Sequence, residues 1–127
     1  VRPPLRAKAY GRGAVFGLLV EVDGYRIYHK GSAAIVEESE REVSADLLLL
    51  GVSLRADTRR FVYRMVEMVD PQVLMPMHYD SFFRPLGKGH RLVPGTRFGQ
   101  VVDEARQAKS EIRIVTLPLL GEYRLRP

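Results

Sequence analysis

Gln72-Val73-Leu74-Met75-Pro76-Met77-His78-Tyr79-Asp80 is the stretch on which the fold turns: an apolar run that stops at a histidine, with a carboxylate two residues later. Val73 to Met77 reads as a strand covered on both faces, because apolar residues follow one another instead of alternating with polar ones. Covered strands of this kind present functional groups at their carboxyl ends, in the crevice beyond the sheet. His78 stands at such an end and is the first candidate functional residue.

Working upstream, Phe61, Val62, Met65, Val66 and Val69 recur at helical spacing, with Asp57 or Thr58 as a cap and Pro71 as a stop after Asp70. Ala45 to Val52 reads as another buried strand entering a loop, and Ala33 to Val36 as a short extended piece. Ala14 to Val22, the turn dipeptide Asp23-Gly24 and Tyr25 to His29 spell a hairpin. Downstream, Ser81 to Gly95 is an irregular connection rich in proline and glycine. Thr96 can cap a second helix carrying Phe98, Val101, Val102, Ala105 and Ala108, and Ile112 to Leu117 and Glu122 to Leu125 read as two closing strands. The order ββ(β)β-α-β-α-ββ predicts a mixed sheet layered with helices, an α/β or α+β architecture, in a single domain over residues 1–127.

At 127 residues and 46% hydrophobic content the chain can bury a core of its own. The absence of cysteine excludes disulfides, thiol nucleophiles and thiolate metal sites, which leaves His, Asp and Glu as ligands for zinc or another divalent metal. No apolar run approaches the ~20 residues of a membrane span, so a soluble, cytoplasmic protein is expected. The start, Val1-Arg2-Pro3-Pro4, lacks an initiator methionine and leads us to expect a piece of a longer chain. The net charge of +5 is spread along the sequence, as on a solvated surface, and the cluster Glu37, Glu38, Glu40 and Glu42 is expected to be an exposed connection.

Gly17 to Ser32, Ala45 to Gly51 and Pro71 to Asp80 together resemble, in order and spacing, the C-terminal half of the metallo-β-lactamase-fold hydrolases. In that family a hairpin leads to Gly-Asp-Thr, a strand of the type Ala-Asp-Leu-Leu-Leu follows, and a helix leads to Pro-x-x-Val-x-Pro-x-His. The resemblance covers roughly Ala9 to Arg84. It implies half of an αββα fold, and the half that carries His-x-His-x-Asp-His has no counterpart in these residues. The resemblance makes His78 the last metal-ligand histidine. It also places Ser32 where the family has a bridging carboxylate, and Tyr10 where it has a ligand histidine. Neither can replace the family's ligand. Asp46, His29, Asp80 and His90 are unassigned candidates; Asp80, which could orient His78 or contribute a carboxylate, reads first as a helix cap, His29 as a strand residue on the face away from a ligand position, and His90 as a loop residue able to meet an anion with Lys88.

The activity that the resemblance implies is metal-assisted hydrolysis, with the ligand-bearing half supplied from elsewhere: a metal lowers the pKa of bound water and polarises the scissile group. The basic residues after His78 favour an anionic small-molecule substrate. The alternative is a degenerate scaffold or interaction domain that kept the fold and lost the ligands. A nucleic-acid module is disfavoured, because Tyr and Phe fall inside strands and helices instead of among the cations. A lone C-terminal half would leave one sheet face bare, so either the missing N-terminal half or a second copy is the expected partner.

Overall fold

The computed structural model describes residues 15–31, 34–53, 55, 58–81, 83–89 and 91–125. Its elements are β1 (Leu18–Val22), β2 (Tyr25–Lys30), α1 (Glu37–Glu40), β3 (Leu47–Gly51), α2 (Phe61–Val69), β4 (Val73–Met77), a 3-10 turn at Leu86–Lys88, α3 (Phe98–Ala108) and β5 (Arg113–Ile114). The expected mixed sheet with helices is present.

The sheet runs β1-β2-β3-β4-β5, with β1 antiparallel to β2 and every later pair parallel. Asp23 and Gly24 both take positive φ, 49° and 79°, the geometry of a two-residue turn whose twist matches the strands it joins. That turn fixes the register Val22↔Tyr25 and Leu18↔His29. Strands β2 to β5 are laid side by side in chain order. Successive right-handed crossovers in that order put all connecting helices on one face.

The core confirms this asymmetry. Tyr28, Leu48, Leu50 and Leu74 share one side of the sheet and pack with Phe61, Val62, Met65 and Val66 of α2 and with Val101 and Ala105 of α3. Burying each large side chain of this group contributes about 1.5–3 kcal/mol. Of the residues of the other parity, Leu47 and Val73, at the amino ends of their strands, are buried outside that cluster, whereas Ile27, His29, Leu49, Met75 and Met77 remain half-exposed. No described helix lies over them. No described helix is long and apolar enough to cross a membrane.

Several local expectations are corrected. The glutamate cluster is exposed only in part: Glu37, Glu38 and Glu42 are exposed, but Glu37–Glu40 forms α1 and Glu40 is 1% exposed. Neither helix starts on a hydroxyl or carboxylate cap of its own. Residue 57 lies outside the described residues, Arg60 stands at the cap of α2, and the amides of Val62 and Tyr63 donate instead to Glu104 of α3 at 3.0 and 3.4 Å. Thr96 turns its hydroxyl to the Val93 carbonyl at 2.8 Å, which leaves Arg97 as the cap of α3. Residues 34–36 form no strand; Ala33 lies outside the described set. The final strand is only Arg113–Ile114, and 122–125 is irregular, because among the described residues no strand pairs with it beyond β5.

Candidate functional site

Because β2, β3 and β4 are parallel, their carboxyl ends line one edge of the sheet. Lys30 pairs with Leu50 and Gly51 with Met77, so Gly31, Gly51 and His78 come out side by side. Gly51 is required here: a Cβ at that position would sit 2.6 Å from the Gly31 carbonyl oxygen, so only glycine lets β3 end so close to β2. One further ladder bond, from the Val52 amide to the Met77 carbonyl at 3.0 Å, carries the edge past the last strand residue.

His78 is exposed and holds φ at 54°, a left-handed conformation that histidine tolerates better than bulkier residues. The chain therefore turns sharply out of the sheet at this residue. The turn is fixed from behind. The Tyr79 carbonyl accepts the Val93 amide at 2.8 Å, and the Tyr79 ring meets Phe98 edge-on at 5.4 Å. Asp80 pairs with Leu92 in an isolated antiparallel bridge, and the Ser81 amide donates to the Arg91 carbonyl at 2.7 Å. Asp80 is thus a strand-like residue at the neck of the loop, not a helix cap, since no helix begins there.

The other candidates disperse. Asp46 lies at the opposite edge, where its Oδ2 accepts the Arg26 amide at 2.8 Å and its carbonyl accepts the amides of Gln72 and Val73. Level with Gln72, it is roughly 20 Å along the strands from His78. His29 stands on the helix-free face, paired with Leu49, two strands across from His78. Tyr10, Ser32 and His90 lie outside the described residues. Among the described residues no group of three or more His, Asp or Glu side chains could hold a metal. A hydrolytic metal needs three or four ligands, so the described residues do not by themselves fit one.

Two charged arrangements near this edge were not anticipated. Lys30, the last residue of β2, is buried in an ion pair with Glu40, whose other carboxylate oxygen accepts the Tyr28 hydroxyl at 2.6 Å. Burial, then the hydrogen bond and charge of Glu40, push the Tyr28 phenol well above its ordinary value. The second is Arg55, 8% exposed, which donates to the carbonyls of Val52 at 3.2 Å, Arg97 at 3.1 Å, and Thr96. Its burial lowers its pKa, Glu104 partly offsets this, and the Arg97 charge adds to it. The only sequence signal for the second was an arginine directly before each helical run, where a hydroxyl or carboxylate is usual.

No family profile matches the chain, and no solved structure does. Curated proteins do in part, among them two described as UPF0173 metal-dependent hydrolases. The one from Methanosarcina mazei is 24% identical over 80 residues, covering 58% of this chain and 34% of that protein. The one from Staphylococcus carnosus is 29% identical over 75 residues, covering 55% and 33%. The chain spans about a third of the length of these relatives. Over just over half of its own length, this mixed α/β chain is therefore similar to part of the metal-dependent hydrolases.

Proposed function

We propose that this chain supplies the C-terminal half of a metallo-β-lactamase-like hydrolase domain, with His78 as a metal-ligand position and the helix-free sheet face as the seat of the complementary half. The observation that carries this reading is the placement of His78: exposed, left-handed, and at the carboxyl end of a parallel strand beside Gly31 and Gly51. That edge is where a parallel sheet offers its functional groups. Partial similarity to proteins described as metal-dependent hydrolases supports it. The chain's own contribution is to fix the backbone turn that presents His78, through the Tyr79–Val93 and Asp80–Leu92 pairings. Further ligands have to come from residues beyond the described set.

A second reading is a scaffold without hydrolysis, and Ser32 and Tyr10 favour it, since they stand where a carboxylate and a histidine would be needed. Metal analysis of protein purified without chelator, expressed from the whole reading frame that contains this chain, separates the two. Hydrolysis predicts stoichiometric divalent metal in the wild type and its loss in His78→Ala. A well-folded, metal-free wild type would leave the scaffold reading.

A further inference from the structure

We propose that the cavity between the amino ends of α2 and α3 binds a phosphate-bearing small molecule, held by Arg59, Arg60 and Arg97. The cavity measures about 530 Å³, within the range of small-molecule sites and larger than free phosphate needs. Its described lining brings together Arg55, Arg59, Arg60 and Arg97 against a single carboxylate, Glu104. One oxygen of that carboxylate is already engaged by the amides of Val62 and Tyr63, so it offsets the positive helix end before it offsets any arginine. The remaining field is strongly positive.

The four arginines have different tasks. Arg55 is a brace, with its guanidinium turned to the carbonyls of Val52, Thr96 and Arg97, and it keeps a nearly dry positive charge in the wall. Arg97 faces it with a second charge of the same sign, an arrangement that an anion in the cavity relieves. The Arg60 guanidinium carbon sits over the Tyr63 ring, 3.7 Å from its centroid, a cation–π contact that holds the head group at the cavity while leaving N–H donors for an acceptor. Arg59 is exposed at the rim.

Backbone conformation adds an independent reason. Arg60 and Arg97 both stand at helix caps with positive φ, 51° and 43°, and neither makes a side-chain cap bond. Asparagine, aspartate, serine or glycine would suit those positions better. Arginine at two such strained positions points to a use for its head group that its backbone conformation does not supply. Guanidinium forks match the oxygens of phosphate in bidentate fashion, and three of them match a dianion better than a lone carboxylate. Ser53, Thr58 and Gln100 line the same space with neutral polar groups suited to the rest of a phosphate ester. The site needs no metal and stands apart from the reading of His78.

Isothermal titration of the metal-free chain with inorganic pyrophosphate and with phenyl phosphate tests this. Saturable binding that weakens with salt is expected, and Arg60→Gly and Arg97→Gly should each lower affinity by about tenfold or more. Glycine relaxes the left-handed backbone at both positions, so neither variant should melt below the wild type, and a fall in affinity reads the lost guanidinium. Arg59→Gln, at an exposed position, should weaken binding as well, whereas Arg106→Gln, exposed on α3, should bind within about twofold of wild type. Absence of saturable binding in the wild type, or a doubly substituted Arg60→Gly/Arg97→Gly chain that binds within about twofold, would overturn the proposal.

Discussion

Strands β1 and β3 are built from nearly the same material and meet opposite fates. Each has five residues of which four are apolar, Leu18-Leu19-Val20-Glu21-Val22 and Leu47-Leu48-Leu49-Leu50-Gly51. In β3, Leu48 and Leu50 are 0% exposed beneath α2 and α3, while in β1 Leu18, Val20 and Val22 on one side are 57%, 47% and 52% exposed, and Leu19 on the other is 40%. Composition does not produce this difference. Sequential parallel strands with crossovers of one hand gather every helix on one face and over the middle of the sheet, and β1 falls outside the layer. An apolar edge strand open on both sides has free backbone groups and free side chains together, which in native proteins marks a surface awaiting a neighbour.

The contrast can be attacked where it is strongest. Removing one partner of the buried Lys30–Glu40 pair leaves a charge stranded under the sheet, so Glu40→Ala should cost about 3–5 kcal/mol in urea unfolding. Replacing both by apolar residues, Lys30→Met with Glu40→Leu, should recover most of that. On β3, Leu48→Ala should cost about 2–5 kcal/mol. A truncation on exposed β1, Val20→Ala on the opposite side of the sheet, should cost less than about 0.5 kcal/mol in the isolated chain. Equal losses at Leu48 and Val20 would mean that β1 is covered after all.

A finer distinction comes from alkali. The Tyr28 phenol is held protonated above its ordinary value, so in the folded chain it keeps its proton after the unfolded chain has lost its own near pH ~10. Its contribution is therefore complete below that pH and declines as the pH rises beyond it. Between about pH 9 and about pH 11 the urea midpoint of the wild type should fall more than that of Tyr28→Phe, whose own cost at neutral pH should be about 0.5–1.5 kcal/mol. Parallel curves for the two would show that the phenol is not enclosed with Glu40.

Much of this was legible in the sequence, for identifiable reasons. Asp23-Gly24 announced its turn because few residues accept two positive φ angles in succession, and the Phe61-Val62-Met65-Val66-Val69 spacing announced α2 because its period is set by the helix itself. The histidine at the end of β4 could be read from the abrupt end of an apolar run. Glu40 could not be placed, because its burial depends on Lys30 and Tyr28 arriving from a different strand. Thr96 and Asp80 looked like caps by local chemistry, but a turn bond from Thr96 to the Val93 carbonyl and the pairing of Asp80 with Leu92 took precedence. The arginine cavity was equally hidden: Arg55, Arg59, Arg60 and Arg97 are scattered over two segments that only the packing of α2 on α3 brings together.

At the centre of the account is a sheet with one face clothed in helices and the proposal that another polypeptide covers the other face, with β1. Size-exclusion chromatography with light scattering on the 14.4 kDa chain tests it most directly. Self-association to a mass above 14.4 kDa is predicted, reversed when the complementary half is supplied. A stable, monodisperse 14.4 kDa monomer would contradict it.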